Sequence, residues 1–125
     1  MINAKQLRIG NLVINDHTKE IVPVTVMLLM VQYENSDGKW IDSNPITITP
    51  EWLERLGFES DTILGFHVKY SLYGIEIWND TALHTFWVDN IKNKMVFLKY
   101  IHQLQNIYHA LTGQELTVKE LTTTI

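Results

Sequence analysis

The chain contains no cysteine, and its 125 residues include only three prolines and six glycines. Without cysteine there is no disulfide framework, no thiolate zinc site and no cysteine nucleophile, a composition suited to a reducing cytoplasm. Long apolar runs are missing as well. The longest, Val26 to Val31, is only six residues. That is too few to span a bilayer and makes a poor signal-peptide core. Positive charge is in deficit: ten Lys/Arg stand against 14 Asp/Glu, for a net charge of −4. No global electrostatic pull toward DNA or a membrane follows from such a balance. Catalytic signatures are absent too, with no Walker loop, G-x-G-x-x-G, G-x-S-x-G or H-E-x-x-H.

What is present reads as globular, with 46% apolar and 19% charged residues. The length fits one domain, residues 1–125. Charge is uneven: residues 1–62 carry five Lys/Arg and nine Asp/Glu, whereas residues 63–125 carry five of each. The acidic excess therefore lies in the first half.

The predicted fold is α+β, a bent antiparallel sheet with a short middle helix and a longer C-terminal one. Asn3 to Leu7 suits a helical turn, and Asn11 to Ile14 a strand. Asp16 to Lys19 suits a polar turn, and Ile21 to Tyr33 a long strand with Pro23 at an edge or bulge. Asn35-Ser36-Asp37-Gly38 is a turn signal, followed by a short strand at Trp40-Ile41. Together these suggest a small barrel-like opening. Thr49 as N-cap, Pro50 at the first helical position and Gly57 as stop predict a helix near 50–56, with Trp52, Leu53 and Leu56 on its apolar face. From Gly65 onward four segments read as an antiparallel meander. Val68, Tyr70 and Leu72 share one face, with His67, Lys69 and Ser71 opposite. Ile75 and Ile77 face inward. Trp78 and Trp87 are out of phase with their apolar neighbours, which assigns them to the second face. Asp89-Asn90 reads as a turn before a last strand, Met95 to Leu98. The helix near 100–112 ends at Gly113 and packs by Ile101, Leu104, Tyr108 and Leu111. His102, Gln105, Asn106 and His109 share the other face, either locking the helix to a neighbouring strand or loop or serving as a recognition surface.

Three blocks resemble small, largely uncharacterised proteins of Bacteroidetes phages and prophages. They are Leu7-Arg8-Ile9-Gly10-Asn11-Leu12-Val13, then Thr49-Pro50-Glu51-Trp52-Leu53 with Gly57-Phe58, then Ile101 to Tyr108 with Ala110 to Leu116. The segments 21–44 and 60–90 carry no such resemblance. The resemblance implies a genomic setting and supplies no catalytic residues. In that setting small proteins often inhibit host defence by binding a nuclease effector.

Candidate sites follow from residue chemistry. Glu51, Glu54, Glu59 and Asp61 offer carboxylates where a basic nucleic-acid channel expects phosphates, with Trp78 or Trp87 as apolar anchors. Lys92, Lys94 and Lys99 with Tyr100 form an alternative nucleic-acid patch. Of the histidines His17, His67, His84, His102 and His109, the helical pair His102 and His109 lies about 10 Å apart along the axis, too far for one metal. No metal and no cofactor are expected. The expected function is non-enzymatic: a phage-encoded binding protein in the host cytoplasm. It would inhibit or redirect a host nucleic-acid-targeting defence effector, in the manner of an anti-CRISPR protein, by contacting the effector or its RNA complex. An RNA/DNA-binding module and a self-associating phage structural or assembly protein are the alternatives.

Overall fold

The computed structural model describes residues 2–3, 7–15, 18–25, 40–41, 43–91 and 94–118. Among these residues it has the expected α+β make-up of antiparallel sheets and two helices. The chain divides into two compact units, Met1–Thr47 with Tyr100–Glu115, and Ile48–Lys99 with Leu116–Ile125.

In the first unit, β1 (Ile2–Asn3) pairs with β4 (Trp40–Ile41). A three-stranded antiparallel sheet is ordered β3-β2-β5, from β2 (Leu12–Asn15), β3 (Ile21–Pro23) and β5 (Ser43–Asn44). These strands close no barrel among the described residues. Pro23 lies on an outer strand, where its missing N–H costs no ladder bond. The predicted strand from Ile21 ends at Pro23, and residues 26–33 and the turn at 35–38 lie outside the described residues. Asn3 is in β1, not in a helical turn, and residues 4–6 of that expected turn are likewise outside. Of the turn at 16–19, the described part is held by Asn15, whose Oδ1 accepts from Thr18 N at 3.0 Å and whose carbonyl accepts from Lys19 N at 2.9 Å.

Helix α2 (Ile101–Thr112) completes this unit, with Gly113 as a left-handed C-cap at φ 74°. Its start is fixed by Tyr100, whose N–H donates to Gln103 Oε1 at 2.9 Å. Ile101, Leu104 and Tyr108 are buried with Val13, Val24 and Ile46. Each such side chain removed from water stabilises the fold by roughly 1.5–3 kcal/mol. Leu111, expected in this stripe, is instead 50% exposed, and His102 and Gln105, expected on the opposite face, are buried. For Gln105 the cause is a polar lock. Gln105 Oε1 accepts from Leu12 N at 2.8 Å, and its Nε2 donates to Gly10 O at 3.4 Å. Asn106 Oδ1 accepts from Arg8 Nε at 2.8 Å and from Asn11 Nδ2 at 2.9 Å. Arg8 also bonds Glu115 at 2.7 Å, which holds the Glu115 carboxyl below its ordinary range. A fully satisfied amide is cheap to bury, so the helix turns these residues inward and Leu111 outward.

In the second unit, Ile48 N donates to Lys99 O at 2.9 Å. Helix α1 (Pro50–Arg55) begins as expected: Thr49 Oγ1 accepts from Trp52 N at 3.2 Å, with Pro50 in the first turn. Leu53, Leu56 and Phe58 are buried. The meander is a five-stranded antiparallel sheet ordered β10-β9-β8-β7-β6. Its strands are β6 (Glu59–Leu64), β7 (His67–Leu72), β8 (Ile75–Asp80), β9 (Thr85–Ile91) and β10 (Lys94–Leu98). Two departures from expectation stand out. The meander, expected from Gly65 onward, already begins with β6, whose alternation is interrupted by a register shift between Ser60 and Thr62. Asp89-Asn90 continues β9 and is not a turn. Between β7 and β8, Tyr73 and Gly74 both take left-handed φ (48° and 82°), the geometry of a two-residue hairpin turn that glycine eases at the second position. Tyr70, Ile77, Phe86, Val88 and Leu98 form the buried face. Burial raises the Tyr70 phenol above its ordinary pKa, and the carboxylates of Glu54 and Glu51 add to that.

Candidate functional site: the open face of the meander

The opposite face of the same sheet carries a different chemistry. Strand alternation sends Lys69, Trp78, Trp87 and Phe97 to it, and the register pairs them in sequence across four strands: Lys69 with Trp78, Trp78 with Trp87, Trp87 with Phe97. Trp78 and Trp87 are half-buried, while Phe97 is 62% exposed. The Trp87 and Phe97 ring centroids are 5.9 Å apart in a tilted arrangement. The Lys69 ammonium lies 5.9 Å from the centre of the Trp78 ring. The His67 ring stands edge-on to Trp87, with centroids 5.5 Å apart.

Carboxylates border this row. Lys69 Nζ is 2.6 Å from Glu76 and 3.6 Å from Asp61, and these partners hold its pKa above the ordinary value, the Glu76 hydrogen bond most strongly. Asp61 also accepts a hydrogen bond from Ser71 Oγ. Asp80 Oδ1 accepts from Leu83 N at 3.1 Å and Ala82 N at 3.0 Å. Those donors, with His67 3.5 Å away, keep the Asp80 carboxyl below its ordinary range. Among the described residues, Lys69 thus meets the carboxylates of Asp61 and Glu76 beside the aromatic row, with Asp80 next to His67. The face suits flat or cationic groups: rings attract cations through their quadrupole, and fixed carboxylates supply the countercharge.

The sequence-derived candidates scatter over this unit. Trp78 and Trp87 become direct cross-strand neighbours, and Asp61 joins them at the Lys69 end. Glu51 and Glu54 are exposed on α1, and Glu59 is exposed on β6. Glu54 and Glu59 line an open groove of about 530 Å³ with Gly57, Phe58 and Ser60. Of the alternative basic patch, Lys92 lies outside the described residues and Lys94 is placed only as the first residue of β10. Lys99 is exposed, whereas Tyr100 is half-buried and stacks on His102 at 5.7 Å. His17 is outside the described residues, His84 is exposed in a turn, and His109 Nε2 is 3.9 Å from Glu115. Among the described residues no group of three His, Cys, Asp or Glu side chains is placed to hold a metal. Likewise no helix among them is long and apolar enough to cross a membrane.

Sequence reasoning missed Lys69 and Phe97 as members of the site. Lys69 carried a signal, since it alternates with Val68 and Tyr70. Phe97 carried none, because it lies in an unbroken apolar run from Met95 to Leu98. Comparison with known proteins finds no match to any family model, curated protein or solved structure.

Proposed function

We propose that this chain is a non-enzymatic binding protein that docks a basic surface of another protein through the open face of its five-stranded sheet. In the phage setting that the sequence blocks suggest, the partner is a host effector that handles nucleic acid, met in the host cytoplasm and inhibited or redirected by occupancy. The observation that carries this reading is the in-register row Trp78–Trp87–Phe97 bordered by Asp61, Glu76 and Asp80. Aromatic anchors slow dissociation, and carboxylates steer association with a basic surface. The same carboxylates disfavour direct phosphate binding at this face.

The test is affinity capture from host lysate, with and without nuclease, followed by titration of the purified captured protein. Trp87→Ala and Phe97→Ala are expected to weaken that complex, and charge reversal at Glu51 and Glu54 weakens it further if α1 shares the contact. Binding indifferent to both aromatic variants would overturn the reading. Capture of RNA alone, lost at high salt, would transfer the function to Lys99 and its neighbours. Self-association is favoured by one observation: β6 is an outer strand with Ile63 and Leu64 70% and 62% exposed. A concentration-dependent sedimentation coefficient, abolished by Ile63→Lys, would identify it.

A further inference from the structure

We infer that the open face recognises an arginine-bearing segment, and that Lys69 occupies the recognition site in the free protein and gives way to the incoming guanidinium. The inference rests on the docking role proposed above and names its ligand chemistry. Three observations support it. Lys69 is held on the face by Glu76 and Asp61, at 2.6 and 3.6 Å, with its ammonium over Trp78. An ammonium set over an indole and tied to two carboxylates is the arrangement a bound cation needs, so the chain supplies its own occupant. Asp80 adds a third carboxylate, fixed by the Leu83 and Ala82 amides, so that among the described residues three carboxylates border the row that carries this one ammonium. Finally, the chain already stacks a guanidinium on a tryptophan elsewhere, with Arg55 Cζ 4.1 Å from the centre of the Trp52 ring.

Arginine suits the face better than lysine. Its planar guanidinium stacks on an indole, donates two parallel hydrogen bonds to a carboxylate and is less strongly hydrated than an ammonium. A second copy of this chain is a poor source. Its two arginines are Arg8 and Arg55. Arg8 is tied to Glu115 and Asn106, and Arg55 lies over Trp52.

The probe is a fluorescein-labelled nona-arginine peptide, titrated at fixed salt and followed by anisotropy, with nona-lysine and oligothymidylate in parallel. Nona-arginine is expected to bind at least several-fold tighter than nona-lysine. Trp87→Ala and Phe97→Ala leave net charge unchanged and are expected to weaken arginine binding about fivefold. Phe97 is exposed, so its variant is expected to keep the fold, which circular dichroism checks. Lys69→Met removes the internal competitor and is expected to tighten binding about threefold or more beyond the gain from Lys99→Met, which changes charge equally. Weaker binding by Lys69→Met, or oligothymidylate binding that disappears with it, overturns the inference. Equal gains from both lysine variants with the aromatic losses intact refute displacement by Lys69 and leave the docking face standing. Arginine binding unmoved by either aromatic variant refutes both.

Discussion

Helix α2 and the open face of the meander are both rich in residue types that recognise ligands, yet the chain uses them in opposite ways. Around α2, Arg8, Asn11, Gln105 and Asn106 bond one another and the backbone of residues 10–12, joining segments about ninety positions apart. The open face instead comes from segment 60–90 and β10, and its aromatic groups stay partly accessible. The amides around α2 thus hold a helix, while the surface with accessible aromatic rings arises from strand register. Polar side chains buried and satisfied rigidify; the same kinds of group left half-exposed remain available to bind.

The contrast is broken most severely at Leu104, which is fully buried on α2. Leu104→Ala is expected to cost about 2–5 kcal/mol in a denaturant titration. A cost below about 0.5 kcal/mol would mean the side chain has no packed environment. Next comes Gln105→Leu, which leaves Leu12 N without its acceptor and Gly10 O without that donor. About 1–3 kcal/mol of stability is expected to be lost. A neutral result would show that the amide serves something other than the lock.

A pH effect of intermediate size belongs to His102. It is buried, with neither ring nitrogen hydrogen-bonded among the described residues, and burial lowers its pKa. A depressed folded pKa leaves stability unchanged above the unfolded value near 6.5. Stability is then lost as pH falls below 6.5 toward the folded value, because the unfolded chain takes the proton first. The loss is up to about 1.4 kcal/mol per pH unit across that window. His102→Phe is expected to flatten this part of the curve, so parent and variant diverge between about pH 7 and 5 when unfolded side by side. The smallest effect is assigned to the open face: Phe97→Ala is expected to cost under about 1 kcal/mol while weakening partner binding. A loss as large as that of Leu104→Ala would make Phe97 a core residue and erase the distinction between the two regions.

Legibility from sequence divides along the same line. Local chemistry identified the Thr49-Pro50 start of α1, the Gly113 end of α2 and the alternation of Val68, Tyr70 and Leu72, because caps and strand faces depend on near neighbours. Leu111 was misplaced because burial of Gln105 depends on backbone groups at Gly10 and Leu12. Strand β6 was missed because a register shift hides its period. In the site, the phases of Trp78 and Trp87 put both on the second face. Their adjacency, and the addition of Lys69 and Phe97 on either side, follow from cross-strand register, which no local pattern encodes.

The four tryptophans allow the binding surface to be located directly. In a nitrogen-15-labelled sample each indole Nε1–H gives its own resonance, assignable by single Trp→Phe variants. On titration with nona-arginine, the Trp78 and Trp87 signals are expected to shift together and saturate, with that of Trp52 unmoved. Saturating shifts at Trp52 alone, or no indole shift while the peptide binds, would contradict the assignment of binding to the open face.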